Sequence, residues 1–268
     1  MSTIRIAIAG SAGRMGATLI EAVLADAEFA LAAALEQAGH PVLGRDAGEI
    51  VGRPCSVTVT DDIARALEAS DVLIDFTRPQ GTLAHLTSCA ALGRSMVIGT
   101  TGFSAVDHDR ITQAANTIPL VIAPNMAVGV NVVFKLAEMA ARALGDGYDV
   151  EIVEAHHRHK VDAPSGTALK LGEMVAAALG RDLASCAVHG RHGDTGERDP
   201  RTIGFHALRG GDIVGEHTVL FAGNGERVEI SVRSASRMTY ALGALRAAKF
   251  LRGRAPGRYD MFDVLAIK

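Results

Sequence analysis

IRIAIAGSAGRMG, residues 4–16, carries an apolar stretch of strand length straight into three glycines and a helical pattern. Isoleucines and alanines in near-unbroken succession suit a strand buried on both faces, as in a parallel sheet covered by helices. Gly10, Gly13 and Gly16 fall at the strand-to-helix turn with the spacing G-x-x-G-x-x-G. Glycines there let the backbone approach a pyrophosphate, and the helix N-terminus favours an anion. The usual dinucleotide fingerprint has its second glycine where this chain has Ala12. Two neighbours strengthen the reading. Arg14 adds positive charge at the phosphate position, and Glu36 ends the next apolar run, where an acid accepts hydrogen bonds from ribose hydroxyls. The turn reads as a nicotinamide dinucleotide site, with a purely structural turn as the alternative.

Outward from this turn the pattern alternates. Strand-length apolar runs recur at 29–35, 72–76, 95–99 and 119–123, separated by helical periods at 13–25, 80–92 and 104–115. That alternation predicts an α/β, Rossmann-like doubly wound parallel sheet. Residues 37–54, punctuated by Gly and Pro, read as a long surface loop. Three more strand ends, at 76–79, 99–103 and 123–126, belong to the same edge of the sheet, where ligands of open α/β sheets bind. Gly99, Thr100 and Thr101 offer backbone groups and little bulk to a flat nicotinamide ring.

After about residue 128 the character changes. A helix is expected over 129–143, a strand over 149–156, a helix over 166–179 and a polar loop over 187–201. The strands that follow read as antiparallel: 226–233 alternates strictly, with Val228, Ile230 and Val232 on one face, after a Gly-Asn-Gly hairpin signal at 223–225. A helix over 239–252 returns to the earlier character. The organisation expected is a dinucleotide-binding domain from 1–127 and 237–268, and a smaller α+β domain from 128–236 with a mixed, largely antiparallel sheet.

Composition narrows the partners. Of 268 residues 48 % are apolar, ample for a core, and the net charge of −3 gives no basic face for nucleic acid. No run approaches the about 18 uncharged apolar residues of a membrane span, and the first apolar stretch is too short for a signal peptide. A soluble cytoplasmic protein is expected. Cys55, Cys89 and Cys186 are scattered, form no CxxC pair, and read as buried thiols in a reducing compartment.

EAHHRHKVDAPSGTAL, residues 154–169, sets three histidines, an arginine and a lysine beside a Pro-Ser-Gly-Thr turn that opens a helix. His156 and His157 on a strand end point to opposite faces, no cysteine is near, and Arg158 and Lys160 repel a cation, so no metal is expected. A solvated basic loop without function is one alternative. The other is an anion site with a proton donor. Ser165, Gly166 and Thr167 present backbone N–H groups at a helix N-terminus, which suits a carboxylate. Lys160 and His157 are placed to hold a second carboxylate or share the first, leaving His156 as general acid, since histidine as a residue type titrates near neutral pH. From the residues alone this is a hydride-transfer enzyme for a small dicarboxylic substrate.

The chain resembles the 4-hydroxy-tetrahydrodipicolinate reductase (dihydrodipicolinate reductase) family. The resemblance rests on GSAGRMG (10–16), DFTRP (75–79), GTTGF (99–103), APNMAVGVNV (123–132), EAHHRHKVDAPSGTAL (154–169), GERDPRTIGFHALRGGDIVGEH (196–217) and SRMTYALGA (236–244). These span nearly the whole chain. It implies NADH- or NADPH-dependent reduction of a cyclic dicarboxylic imine, after loss of its 4-hydroxyl as water, in the diaminopimelate route to lysine. On this chain it implies His156 as proton donor, Lys160 as its catalytic partner, and His157, Gly166 and Thr167 as substrate-carboxylate binders. It implies Gly10, Ser11, Ala12, Gly13, Arg14, Met15, Glu36, Gly99, Thr100, Thr101, Ala123, Pro124, Asn125 and Met126 as the cofactor site, and a homotetramer joined through the second domain's sheet. Gln37, neutral where family members that use both cofactors often carry arginine, points to a modest preference for NADH.

Two rivals make different demands. A dinucleotide-sensing regulator with a dead active site has no use for the proton donor or the carboxylate binders, and this chain keeps them. A semialdehyde dehydrogenase needs an activated cysteine nucleophile, and Cys186 lies outside the basic motif.

Overall fold

The computed structural model describes residues 3–268. In chain order the strands and helices are β1 (Ile4–Ala9), α1 (Arg14–Ala25), β2 (Phe29–Leu35), β3 (Val59–Thr60), α2 (Ile63–Ala69), β4 (Val72–Asp75), α3 (Pro79–Leu92), β5 (Ser95–Ile98), α4 (Ala105–Ala114), β6 (Pro119–Ile122) and α5 (Val128–Leu144). There follow β7 (Asp149–His156), α6 (Gly166–Ala178), α7 (Leu183–Cys186), β8 (Ala187–His189), β9 (Ile203–Arg209), β10 (Gly215–Ala222), β11 (Arg227–Ser234), α8 (Met238–Leu251), β12 (Gly257–Tyr259) and α9 (Met261–Leu265). They form two compact units: unit 1 runs up to Val128 and resumes over Arg237–Lys268, and unit 2 is Gly129–Ser236.

Unit 1 is a seven-stranded parallel sheet in the order β12-β6-β5-β4-β1-β2-β3. Ile6, Ala7 and Ile8 are all fully buried, because helices cover both faces. Leu19, Ile20 and Val23 of α1 pack on one face with Ala241, Ala244 and Ala248 of α8. Leu67, Leu83, Leu86 and Ile111 of α2, α3 and α4 pack on the other. The alanines of α8 permit close approach to the sheet, so packing density is kept with few large side chains. Local signals set the helix ends. Pro79 starts α3 at a position that has no N–H to lose. Gly93 ends it in the left-handed region. A Ser104–Asp107 capping box starts α4. Because β1 lies between β2 and β4 while the chain runs β1-β2-β3-β4, the strand order reverses there, and the carboxyl edge beside β1 is the crevice of the sheet.

Unit 2 holds a five-stranded mixed sheet, β11-β10-β7-β9-β8. β10 is antiparallel to β7 and β11, while β9 is parallel to both β7 and β8. The β10–β11 hairpin turns through Gly223–Gly225, with the Gly223 N–H donating to the Glu226 carbonyl at 2.9 Å.

Two segments depart from the sequence expectation. Residues 187–201 are not wholly loop, since Ala187–His189 pair with β9; three residues are too few to show a period. The 37–54 stretch is ordered rather than a plain surface loop. Asp46 accepts hydrogen bonds from the N–H groups of Gly48 (2.7 Å), Cys55 (3.0 Å) and Ser56 (2.6 Å), and so pins a 3-10 turn at Ala47–Val51. The short strands β3 and β12, which no sequence pattern marks, are the two edges of the sheet. Among the described residues no helix is long and apolar enough to cross a membrane.

Candidate active site

In unit 1 the parallel sheet brings the candidate cofactor residues to one edge. Gly10 turns the chain with φ +68, and a Cβ on Gly16 would lie 2.1 Å from the Gly10 carbonyl oxygen, so α1 can start this close to β1 only with glycine there. Gly13 is the N-cap of α1, contributes no side-chain cap, and leaves the first turn without an acid. Arg14, the first helical residue, is exposed. A helix N-terminus with no acidic side chain and one adjacent cation fits a pyrophosphate. The Glu36 carboxylate accepts from the Ala12 N–H at 3.1 Å and from the Gln37 N–H at 3.0 Å. Strand β2 is thereby tied to the glycine turn. The Ser11 hydroxyl is buried with no hydrogen-bond partner among the described residues, as a group waiting for a ligand or a local rearrangement would be.

The ends of β5 and β6 carry the other candidate cofactor residues. Gly99 does not serve as open space for a ring: a Cβ there would lie 2.1 Å from the Phe76 ring, so the missing side chain is filled from within the protein. The Thr100 side chain also turns inward, only 5 % exposed, and bonds to Thr82 and Asp75. What this loop offers a ligand is backbone and the exposed Thr101. At 123–126, Ala123 and Met126 are buried in the core, Pro124 is exposed, and the Asn125 Oδ1 accepts from the Ala127 N–H at 2.9 Å.

In unit 2 the histidine motif closes around a carboxylate absent from the sequence reading. Glu154 is 1 % exposed. Its Oε2 lies 2.6 Å from His156 Nδ1, two positions on and on the same face of β7. Arg209 of β9 donates to both carboxylate oxygens at 2.7 Å, and the Ser165 N–H donates to Oε1 at 3.0 Å. Burial alone would raise the Glu154 carboxyl, but the Arg209 and His156 bonds hold it below the usual carboxylate range. The His156 imidazole is pushed below its ordinary value, first by burial and then by Lys160 and Arg209, against the opposing pull of Glu154. The pair therefore rests as carboxylate and neutral imidazole. Glu154 takes the Nδ1–H, which leaves Nε2 as the titrating nitrogen.

His217 of β10 sits opposite Glu154 in the sheet register. Its ring meets that of His156 edge to face at 5.1 Å, and its Nε2 lies 2.9 Å from the Ser165 hydroxyl. Burial pushes it down to about 4, so it is neutral at pH 7. Ser165 Oγ also accepts from the Ala168 N–H at 3.2 Å, capping α6. The sequence pattern offers the Ser165 N–H to a carboxylate ligand; in the structure it is committed to Glu154, and the helix terminus presents exposed Gly166 and half-buried Thr167 instead. Residues 157–160 form a turn in which the Lys160 N–H donates to the His157 carbonyl at 3.1 Å and Lys160 Nζ pairs with Asp162 at 2.8 Å. His157 Nδ1 is buried without a hydrogen-bond partner among the described residues. An adjacent lysine, an unpaired imidazole nitrogen and a helix N-terminus together suit a small anionic ligand.

Glu154 was within reach of the sequence, since an i, i+2 pair on a strand shares a face. Arg209 and His217 were not: they arrive through the pairings His156–Arg209 and Glu154–His217. The cysteines offer no nucleophile. Burial raises the thiols of Cys55 and Cys186, and that of Cys89 to about 12, so none is a thiolate at neutral pH.

Residues 4–126 match the protein family described as dihydrodipicolinate reductase, N-terminus, and residues 129–265 match dihydrodipicolinate reductase, C-terminus. The chain is 63 % identical to the 4-hydroxy-tetrahydrodipicolinate reductase of Dechloromonas aromatica, over 100 % of both chains. It is 61 % identical to that of Aromatoleum aromaticum, over 100 % of this chain and 97 % of the other. Among solved structures it is similar to a dipicolinate-bound dihydrodipicolinate reductase from Paenisporosarcina sp. TG-14, with 27 % identity, a TM-score of 0.78, and 98 % and 99 % of the two chains covered.

Proposed function

The chain belongs to the dihydrodipicolinate reductase family, and from that premise we propose that unit 1 holds the nicotinamide cofactor while the His156 cluster of unit 2 binds and protonates the substrate. The reaction is the NAD(P)H-dependent reduction of 4-hydroxy-tetrahydrodipicolinate to tetrahydrodipicolinate with loss of water, in the diaminopimelate route to lysine. The cofactor, when bound, supplies the hydride. Gly10 to Met15 take its pyrophosphate through backbone N–H groups and Arg14. Glu36 accepts from the adenine ribose, and residues 99–101 and 123–126 border the nicotinamide. Glu36 repels a 2′-phosphate and Gln37 does not offset it, so NADH is the preferred cofactor by a modest margin.

His157, Lys160, Gly166 and Thr167 hold the substrate carboxylates. The observation that carries the assignment of His156 is the 2.6 Å contact of its Nδ1 with buried Glu154. That contact orients the ring, selects Nε2 as the donor nitrogen, and stabilises the imidazolium. In the free chain burial, Lys160 and Arg209 disfavour the charged ring. A dicarboxylate seated against Lys160 and His157 brings negative charge beside it and raises its proton affinity, so substrate binding prepares the donor. The enzyme works in the cytoplasm as a homotetramer joined through the unit 2 sheet. In support, Leu208 is 58 % exposed on the sheet face opposite the one that packs on α6.

The test is NAD(P)H oxidation with substrate generated by the coupled synthase. His156→Ala and Lys160→Ala should each lower turnover by about two orders of magnitude, the scale of general acid–base contributions, with NADH affinity little changed. Glu154→Gln keeps an acceptor for the Nδ1–H but removes the charge. It should lower turnover by about tenfold or more and move the alkaline limb of the pH–rate profile to lower pH. Near-normal turnover in His156→Ala, or an unmoved profile in Glu154→Gln, would remove that residue from the mechanism.

A further inference from the structure

A second buried carboxylate, outside the histidine cluster, lies at the carboxyl edge of the unit 1 sheet. Asp75, the last residue of β4, is fully buried. Its Oδ1 lies within reach of the Thr77 N–H (2.8 Å) and of the hydroxyls of Thr77 (2.7 Å), Thr82 (3.1 Å) and Thr100 (3.3 Å). Its Oδ2 lies 2.7 Å from His85 Nδ1. Thr82 also stands 2.8 Å from the Thr100 hydroxyl. A hydroxyl donates one proton, so the arrangement that satisfies every group has Thr77 and Thr100 donating to Asp75 and Thr82 donating to Thr100. Burial alone would raise the Asp75 carboxyl, but His85 and Thr77 hold it below the usual range, so the charge is kept.

Its position separates this network from ordinary core anchoring. Apart from half-buried Ser95 at the start of β5, the remainder of these strands is apolar, with Leu73, Ile74, Val97 and Ile98 all fully buried, and a buried charge is a costly way to fill such a core. Here the polar groups gather at one end only, and they come from three segments: the loop after β4, helix α3, and the loop after β5. The loop after β4 also touches the other two sides of the edge. A Cβ on Gly10 would lie 2.9 Å from the Thr77 methyl, and Phe76 fills the space over Gly99. Residues 76 and 77 therefore pack against both the glycine turn and the 99–101 loop.

We propose that Asp75 is a positioning residue for the nicotinamide cofactor, acting through the hydroxyls of Thr77, Thr82 and Thr100 to hold the loops after β4 and β5 in the register that binds it. This rests on the assignment of unit 1 as the cofactor site. The bonded hydroxyls also mean that the 99–101 loop meets the ligand through its backbone rather than through Thr100 Oγ1.

Thr82 provides the test, because it is buried and bonds within the network without lying on the ligand edge. Thr82→Val keeps the shape and removes the hydroxyl; Thr82→Ser keeps the hydroxyl. The measurements are NADH Kd and KM, kcat, the Kd of pyridine-2,6-dicarboxylate without cofactor, and Tm. Thr82→Val should raise NADH Kd and KM about fivefold, the scale of one neutral hydrogen bond, with kcat changed less and dicarboxylate Kd unmoved. Thr82→Ser should bind NADH within about twofold of wild type. Asp75→Asn should exceed Thr82→Val in its effect on KM, and if it does not fold, the two Thr82 variants decide alone. A Thr82→Val protein with lowered Tm but wild-type NADH Kd would show a structural role only and overturn the proposal. A Thr82→Ser protein as impaired as Thr82→Val would overturn it too. Wild type that binds neither NADH nor NADPH would instead remove the cofactor assignment, and this inference with it.

Discussion

On the proposed assignment, Glu36 stands where a ribose and a turn compete for one carboxylate. Each oxygen already accepts one backbone N–H, from Ala12 or Gln37. A carboxylate oxygen has a second acceptor site, so ribose hydroxyls can be taken without breaking those bonds. A 2′-phosphate gains nothing from this arrangement and meets a fixed negative charge. The cations near in sequence are poorly placed to compensate. Arg45 is paired with Glu49 at 2.9 Å, and Arg14 starts α1, where it faces the pyrophosphate on the proposed assignment. Gln37 is exposed beside the carboxylate and is the position at which a cation would act. Wild type should therefore show a higher kcat/KM with NADH than with NADPH. Gln37→Arg should move that ratio toward NADPH by about tenfold, as expected of one charge-assisted contact at a partly solvated site. Steady-state kinetics with both cofactors on both proteins checks it. A wild type that strongly prefers NADPH would place Arg14 or Arg45 on the phosphate instead.

At the scale of elements, β10 and α6 meet through His217 and Ser165, and that contact ties stability to pH. His217 is held at about 4 in the folded chain against 6.5 when solvated. Between those values the unfolded chain binds the proton and the folded chain does not, so the unfolded state gains protons first. The stability that a neutral His217 contributes is complete above about pH 6.5 and is lost as pH falls toward 4. The full difference is on the order of 3 kcal/mol. His217→Gln retains a polar partner for the Ser165 hydroxyl without a titrating group. Urea unfolding at a series of pH values from 7.5 to 4.5 should give a flatter dependence for the variant than for wild type. Parallel curves for the two proteins would mean that His217 is not the proton-linked group. The far edge of the sheet shows why short elements escape notice. β8 lies in a glycine-rich polar stretch and forms only because β9 offers it a parallel partner. The 3-10 turn at Ala47–Val51 depends on three backbone donors converging on Asp46.

For the whole molecule, the unit 2 sheet presents one face to α6 and leaves Leu208 largely exposed on the other. On the proposed tetramer that face is the association surface, and Leu208 lies on it. Sedimentation should give four times the chain mass of 28.0 kDa, and Leu208→Asp should reduce it by burying a charge at the interface. A wild-type chain that sediments as a monomer at micromolar concentration would remove the tetramer from the proposed function.

What the sequence determined by itself was local. Near-continuous burial along 4–9, 72–75 and 95–98 is legible because a strand covered on both faces has no polar phase to disguise it. The glycine turn is legible because a left-handed Gly10 and a contact distance at Gly16 admit no side chain. The basic cluster at 156–160 is legible as charge density. Tertiary structure alone decided what those residues face. Arg209 reaches Glu154 across 55 residues and His217 reaches Ser165 across 52, because the registers of β9 and β10 on β7 put them there. Thr100 and Gly99 read alike as small ligand-facing residues, yet one is drawn inward by Asp75 and the other is covered by Phe76. Periodicity reports which side of an element is buried; the identity of the group waiting on that side is set by strand register and helix packing, which no local pattern encodes.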